Sequence, residues 1–247
     1  MAIVTGANRG IGAAIAVELA RLGAGVLVGY LRTGPDAPGP DAVLAEVRAQ
    51  GRRAVALEAD LRVAGTAALL FDTAEHELGP VSVLINNATG WSHQDTFSGA
   101  DADRFGRPLV AVGAESFDAN VAVDARAGAL LMAELARRLP RHGTGGSIVS
   151  ISSGGPAGFP AEVSYGAAKA ALENLTMSAA SELAPLGVTA NVVLPPITDT
   201  GWVTDAVRRV AAEAGGRVAD PADVARVVGW LCTAEARLVT GNRIRLR

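Results

Sequence analysis

The segment TGANRGIG, residues 5–12, follows a short apolar run at 2–5 and precedes an amphipathic stretch. Its glycines, Gly6, Gly10 and Gly12, are spaced G-x-x-x-G-x-G. Glycine allows a tight turn and a close approach of the backbone to a ligand, and a helix that begins there presents free N–H groups to a pyrophosphate. The segment therefore predicts a strand, a phosphate-binding turn and a helix, which together begin a dinucleotide-binding sheet.

The same alternation of strand and helix continues along the chain. Six further runs, rich in β-branched and apolar residues, are predicted as strands: 25–30, 53–58, 81–86, 147–152, 188–194 and 243–246. Helical patterns lie near 11–22, 41–50, 65–78, 115–139, 162–184 and 221–236. Apolar strands that alternate with helices are typical of a parallel sheet with helices on both faces. We predict a single α/β domain over 1–247, a Rossmann-like doubly wound parallel sheet of about seven strands.

Composition excludes several classes of function. The net charge is −3 and the arginines are scattered, so we expect no nucleic-acid partner. Cys232 is the only cysteine and the three histidines lie far apart, so neither a disulfide nor a metal site is predicted. The chain begins without a signal-peptide pattern, and no apolar run reaches the roughly 20 residues that span a bilayer. A cytoplasmic protein without a membrane partner is the expectation.

Two long segments interrupt the alternation, and both follow predicted strands. Residues 90–114 are largely polar, and residues 195–220 begin with two prolines. Ligands of open α/β sheets bind beyond the carboxyl ends of the strands, where both segments emerge. We expect these two loops to shape a substrate pocket. Candidate apolar walls, which could equally be core packing, are Trp91, Phe97, Phe159 and Trp202.

The glycine spacing resembles that of the short-chain dehydrogenase/reductase family, especially compact members such as 3-oxoacyl-ACP reductases. The resemblance continues through EADL at 58–61, NNAT at 86–89 and PPITDTGW at 195–202, and it spans essentially the whole chain. It implies an oxidoreductase that binds a nicotinamide cofactor. The cofactor-binding residues that it implies, together with Arg32 as argued below, are Gly6, Asn8, Arg9, Gly10, Ile11, Gly12, Asp60, Leu61, Asn87, Ala88, Tyr165, Lys169, Pro195, Thr198 and Thr200.

The end of the second strand indicates which cofactor is used. A free ribose 2′-hydroxyl is usually held by a carboxylate there, but this chain has Tyr30 and no acid before Asp36. Two arginines, Arg9 and Arg32, lie nearby in the sequence, and arginine suits a 2′-phosphate through charge-assisted hydrogen bonds. We therefore predict NADP(H) in preference to NAD(H).

The reacting end is predicted from the segment VSYGAAKAA, residues 163–171. It contains Lys169, the only lysine in the chain, and Tyr165 four residues earlier, so the two share a helix face. With the preceding SIVSISS at 147–153, they resemble the family's Ser-Tyr-Lys triad. The resemblance also implies a fourth member, an asparagine on the long preceding helix, which FDANVAVDA supplies as Asn120.

The implied reaction reduces a ketone or oxidises a secondary alcohol, in the manner of EC 1.1.1 enzymes. Free tyrosine has a pKa of about 10, and a nearby ammonium favours tyrosinate, so Tyr165 is the expected general acid in reduction. Lys169 would also bind the nicotinamide ribose, and Asn120 would place a water beside it. We predict Ser153 as the serine, on the assumption that one residue is deleted from the following loop; the alternative is Ser152, which fits the usual separation of 13 from the tyrosine.

Two departures from the family pattern lie near the site. Thr89 replaces a glycine, and Pro196 replaces a second glycine and removes a backbone N–H.

The alternative functions are a non-catalytic redox-sensing regulator on the same fold, and a sugar-nucleotide epimerase or dehydratase. The resemblance also implies a homo-oligomer, a tetramer or dimer, built through the helices at 115–139 and 162–184.

Overall fold

The computed structural model describes residues 1–34, 36–91, 93–103, 106–139, 143, 145–154, 158–213 and 217–247. Its nine strands are β1 Ala2–Thr5, β2 Val26–Tyr30, β3 Ala54–Glu58, β4 Val83–Asn86, β5 Gln94–Thr96, β6 Leu109–Ala111, β7 Gly146–Ile151, β8 Val188–Leu194 and β9 Arg243–Arg245. Seven of them form one parallel sheet in the order β3-β2-β1-β4-β7-β8-β9, and β5 pairs with β6 in a separate parallel pair. The predicted seven-stranded sheet is confirmed.

Within the described residues, eight α-helices connect the strands: α1 Gly10–Arg21, α2 Asp41–Ala49, α3 Thr66–Glu77, α4 Ala114–Asn120, α5 Ala127–Arg138, α6 Val163–Glu182, α7 Asp205–Glu213 and α8 Pro221–Leu231. A π-helical turn, Val121–Arg126, joins α4 to α5, so the predicted helix at 115–139 is one helical rod with a widened turn in its middle. Short 3₁₀ turns follow α6 at Ala184–Leu186 and α8 at Ala234–Ala236.

Two apolar layers cover the two faces of the sheet. Successive side chains of a strand point to opposite faces, so Val4 of β1 packs with α1, α2 and α8, whereas Ile3 packs with α3, α5 and α6. Both side chains are fully buried. Burial on both faces explains why the strand sequences are nearly continuously apolar.

The strand order places a crevice between β1 and β4. From β1 the chain proceeds outward to β2 and β3 and then returns to β4 on the other side of β1, so the connections leave in opposite directions. Such a switch point opens a crevice at the carboxyl ends of the strands, where α/β proteins bind ligands. The glycine turn follows β1 at this edge.

The two segments predicted as loops contain regular structure. Residues 90–114 include β5 and β6, and residues 195–220 include α7. The strands β5 and β6 have only three residues each, too few for an alternating pattern to show in the sequence.

Among the described residues, we find no helix with the length and apolarity needed to traverse a lipid bilayer.

Candidate active site

The glycine turn adopts a conformation that only glycine takes easily. Gly6 and Gly10 have positive φ angles of 63° and 58°. At Gly12, a Cβ atom would lie 2.4 Å from the amide nitrogen of Asn87 and 2.4 Å from the carbonyl oxygen of Gly6, so a side chain there would collide with both. α1 begins at Gly10 and has no acidic residue in its first turn. The positive end of the α1 dipole therefore has no acidic side chain beside it, and it fits the negatively charged pyrophosphate of a dinucleotide.

Asn87 and Ala88, predicted to line the cofactor, lie against that turn. The amide of Asn87 donates to the carbonyl oxygens of Thr5, at 2.9 Å, and Gly6, at 3.0 Å. In return, the hydroxyl oxygen of Thr5 accepts from the backbone N–H groups of Asn87 and Ala88, at 3.0 and 3.1 Å. These four bonds join the ends of β1 and β4, and they fix the floor of the crevice.

The segment after β8 reaches back to the glycine turn. A Cβ atom on Gly10 would lie 2.8 Å from the methyl carbon of Thr200, so Thr200 covers this glycine directly. Thr198 is buried and donates its hydroxyl to the carbonyl oxygen of Pro196 at 2.9 Å. The structure thus brings Thr200 to the same crevice as the glycines, and Pro195, at the start of the segment, is partly buried.

The predicted adenosine end contains an ion pair that the sequence analysis missed. Arg32 donates from Nη2 to Glu58 at 2.7 Å and from Nε to both carboxylate oxygens, at 3.2 and 3.1 Å. Glu58 ends β3 and lies beside Tyr30 in the register of β2 and β3. Arg9 is exposed at the start of α1, and the neighbouring Asn8 donates to the carbonyl oxygen of Pro38 at 2.7 Å.

Asp60 and Leu61 follow β3 at the same edge. The guanidinium of Arg62 bonds the Asp60 carboxylate at 2.7 Å, and these bonds hold the pKa of Asp60 below its ordinary value despite some burial. Leu61 is partly buried against the α3, α5 and α6 layer. Ile11, on the first turn of α1, packs against the opposite layer. Contacts within the chain thus hold all three residues, and their binding to a cofactor stays a prediction.

Tyr165 and Lys169 share one face of α6, as their spacing predicts. The Lys169 ammonium lies 5.5 Å from the centre of the Tyr165 ring and donates to the carbonyl oxygen of Ile151 at 2.9 Å. Tyr165 is half-buried, and its ring makes an edge-to-face contact with Phe159 at 5.8 Å. The phenol therefore has access to a substrate, whereas the lysine lies behind it, 3% exposed.

Asp124, rather than Asn120, contacts the lysine. Its Oδ1 lies 2.8 Å from the Lys169 ammonium. Asn120 is buried one turn earlier and donates to the carbonyl oxygen of Ser116 at 2.9 Å. The prediction took the amide in FDANVAVDA as the fourth member, but the same segment also contains this aspartate, and the π-helical turn directs it toward α6. A carboxylate is therefore the direct neighbour of Lys169, and the role predicted for Asn120, to place a water beside the lysine, stays a prediction.

The ion pair sets the charge state of the lysine. Burial works against the ammonium, but Asp124, Tyr165 and Glu173 together outweigh it, so the pKa of Lys169 lies above its ordinary value. The second carboxylate oxygen accepts from the hydroxyl of Thr89 at 3.1 Å and from the backbone N–H of Gly90 at 2.8 Å. Thr89, the departure from the family pattern noted above, therefore stabilises this carboxylate with a hydrogen bond.

The two candidate serines have different surroundings. Ser152 is 3% exposed and donates its hydroxyl to Oε1 of Glu173 at 2.6 Å. Ser153 is only partly buried. Because Ser152 is committed to Glu173, this contrast favours Ser153 as the hydroxyl that faces a substrate.

A buried carboxylate ties the long polar segment to the start of α6. Asp95 on β5 accepts from the backbone N–H of Ser164 at 3.0 Å and from the hydroxyls of Ser164 and Ser116. Burial opposes ionisation of this group, but these hydrogen bonds prevail and hold its pKa below the ordinary value. Because Ser164 immediately precedes Tyr165, the network fixes the beginning of α6, which carries the candidate residues Tyr165 and Lys169. Sequence spacing gave no signal for it.

The predicted apolar walls are not core residues. Trp91, Phe97 and Trp202 are 42%, 84% and 48% exposed. The ring of the fourth, Phe159, contacts a candidate catalytic side chain, Tyr165. In the part of the chain that the structure describes, no group of three or more histidine, cysteine or acidic side chains is arranged to hold a metal.

Comparison with known proteins agrees with this geometry. Residues 1–210 match the model of the short chain dehydrogenase family. An uncharacterized oxidoreductase, YjdA, from Bacillus subtilis is 34% identical over 99% of this chain and 94% of its own length. An NADPH-dependent aldehyde reductase-like protein, chloroplastic, from Arabidopsis thaliana is 33% identical over 99% of this chain and 91% of its own.

A solved structure is similar over the same extent. The crystal structure of the angucycline C-6 ketoreductase LanV with bound NADP superposes with a TM-score of 0.83 at 32% identity, covering 99% of this chain and 92% of that one. The glycine turn, the doubly wound sheet and the full-length relatives lead to one conclusion. The chain belongs to the short-chain dehydrogenase/reductase family and is an NAD(P)-dependent oxidoreductase that acts on CH–OH groups.

Proposed function

We propose that this protein is an NADP(H)-dependent carbonyl reductase that converts a ketone or aldehyde to the alcohol. The observation that carries the proposal is the half-exposed phenol of Tyr165 in front of the buried ammonium of Lys169. A phenol with a fixed cation behind it is suited to proton transfer with a substrate oxygen. The aldehyde reductase-like relative and the ketoreductase with bound NADP support the same reaction class.

Three side chains have separate roles in proton transfer to the substrate oxygen: Tyr165, Ser153 and Lys169. When bound, a nicotinamide cofactor would supply the hydride for the carbonyl carbon. Tyr165 donates its proton to the oxygen, and the hydroxyl of Ser153 donates a hydrogen bond that holds that oxygen in place. Lys169, fixed by Ile151 and Asp124, stabilises the tyrosinate that remains. In the oxidative direction Tyr165 accepts the proton instead.

The cofactor is held by groups at the carboxyl edge of the sheet. The N-terminus of α1 and the glycine turn fit the pyrophosphate, and Thr200 covers the turn from above. Arg9 and Arg32 are both exposed and suit a 2′-phosphate. Because Glu58 already pairs with Arg32, the phosphate competes with this carboxylate for the guanidinium. The NADP(H) preference that we propose therefore depends on Arg9 and on release of Arg32 from Glu58.

Assembly into a homo-oligomer, a dimer or tetramer, is part of the proposal. We place the contact on the helices at 115–139 and 162–184, where Phe117 on α4 is 41% exposed and available to a second copy. Light scattering after size exclusion measures the mass directly, and a single species at 25.0 kDa would contradict this part.

A carbonyl screen tests the proposed reaction. NADPH oxidation is followed by absorbance with a panel of aldehydes, cyclic ketones and aromatic polyketide-like ketones. Tyr165→Phe is the matched control, because it keeps the ring that contacts Phe159 and removes only the hydroxyl. We expect turnover to fall by about 10²-fold or more, with NADPH binding retained. Tight NADPH binding by the unmodified protein without turnover of any carbonyl compound would favour the redox-sensing regulator instead.

A further inference from the structure

Asp124 is the most completely enclosed charged group beside the reacting residues. Its side chain has no exposed surface, and both oxygens have partners from other elements. Oδ1 faces the Lys169 ammonium on α6, and Oδ2 accepts from Thr89 and Gly90 after β4. A Cβ atom on Gly90 would lie 2.3 Å from the carbonyl oxygen of Ala119, so this backbone approaches the helix as closely as it can. The carboxylate is held rigidly at the back of the site.

The charges that face Tyr165 nearly balance. Lys169 contributes one positive charge at 5.5 Å from the centre of the ring, and the negatively charged carboxylate of Asp124 lies 2.8 Å from that ammonium. Glu173, one helical turn further along α6, also acts on Lys169, but its carboxylate is shared by the Ser152 hydroxyl and the Arg243 guanidinium. Thr89, Gly90 and the Ile151 carbonyl contribute only dipoles. The positive field at the phenol is therefore that of an ion pair, which is weaker than that of a lone ammonium.

We infer that Asp124 is a positioning residue that fixes the Lys169 ammonium beside Tyr165 and offsets part of its charge at the phenol. The inference rests on the proposed function in giving Tyr165 the proton transfer, whereas the effect of Asp124 on the charge beside the phenol is independent of turnover.

The two tyrosines of the chain make the inference directly measurable. In a Tyr30→Phe background, Tyr165 is the only phenol, so absorbance at 295 nm reports its ionisation in the protein without cofactor or substrate. Far-UV circular dichroism at each pH restricts the titration to folded protein. Asp124→Asn removes the negative charge with little change in shape. We expect the ionisation midpoint to fall by about one pH unit, as a neighbouring charge typically causes.

Two further variants separate charge from structure. Thr89→Val removes one hydrogen bond to Asp124 but leaves its charge, so the midpoint should move by less than about 0.3 unit. The double variant Asp124→Asn with Lys169→Met leaves no unpaired buried charge and is expected to fold even if the single variant does not. Because the two removed charges offset each other, its midpoint should lie within about half a unit of the background protein.

The results that overturn the inference are equally specific. A midpoint that stays or rises in Asp124→Asn contradicts it, as does a rise of one unit or more in the double variant. If the titration behaves as expected, the pH profile of reductive kcat should also lose activity at lower pH in Asp124→Asn. Absence of reductive turnover in the unmodified protein would contradict the proposed function and leave the titration result unaffected.

Discussion

The hydroxyl of Ser152 donates to Oε1 of Glu173 at 2.6 Å, while Oε2 of the same carboxylate accepts from Arg243 at 2.8 Å. This chain of contacts joins the end of β7 to α6 and to β9. A serine whose only proton is given to a carboxylate has none to donate to a substrate. The pair therefore assigns Ser152 to structure, and it makes Ser153 the candidate for catalysis.

Replacing each serine by alanine should give opposite results. In Ser153→Ala, kcat should fall by about 10²-fold or more because one hydrogen bond to the substrate oxygen is lost. Ser152→Ala should keep turnover within about threefold and lower the free energy of unfolding by about 1 kcal/mol. Steady-state kinetics and urea unfolding measure both. The assignment fails if Ser152→Ala proves to be the inactive variant.

Lys169→Arg should remove most turnover although the charge is kept. The ammonium fits between the Ile151 carbonyl and Asp124 in a buried position, and the planar guanidinium cannot occupy that space with the same bonds. We expect kcat to fall by about 10²-fold or more. Arg243→Lys is the control, because it makes the reverse exchange at the exposed end of the Arg243–Glu173 ion pair, and it should retain activity. Near-normal turnover of Lys169→Arg by a folded protein would contradict the role proposed for the lysine.

Cofactor preference should respond to both members of the Arg32 and Glu58 pair. Arg32→Ala should weaken NADPH binding relative to NADH by about tenfold because a phosphate contact is lost. Glu58→Gln should change the ratio in the other direction, since it frees Arg32 for the 2′-phosphate. Fluorescence titration with each cofactor measures the ratio. A preference for NADH in the unmodified protein would overturn the NADP(H) proposal.

Acid should weaken the link between β5 and α6. The pKa of Asp95 is lowered in the folded state, so its carboxylate contributes stability above its unfolded pKa of about 4 and loses it as the pH falls through the folded value. Asp95→Asn should therefore be less stable by about 1–3 kcal/mol at pH 7, and the difference should shrink toward about pH 3. Urea unfolding at both pH values measures it, and an equal difference at both would show that the charge is not responsible.

The sheet was predictable because each of its strands has a local signature. Apolar runs such as 188–194 coincide with β8, and the glycine turn was located from its spacing alone. The short strands β5 and β6 and the helix α7 were missed. The strands β5 and β6 pair with each other in a two-stranded sheet apart from the main one. The helix α7 lies in a segment that begins with two prolines, which favoured a loop.

The candidate site was predictable where one helix carries it and less so where several elements meet. Tyr165 and Lys169 follow from a spacing of four. Asp124 depends on the π-helical turn that rotates it toward α6, and a family pattern had indicated the amide one turn earlier. The capture of Arg32 by Glu58 depends on strand register, because β2 and β3 pair Tyr30 with Glu58.

The single lysine also gives the protein an unusual chemical surface. Lys169 is the only lysine in the chain and is 3% exposed, so the folded exterior carries no lysine ε-amine for acylation, cross-linking or digestion by a lysine-specific protease. Such a protease can cut the chain only after α6 has opened around Lys169. Its rate of cleavage therefore reports the opening of the catalytic helix itself, and slower cleavage with bound cofactor would measure how strongly that ligand closes it.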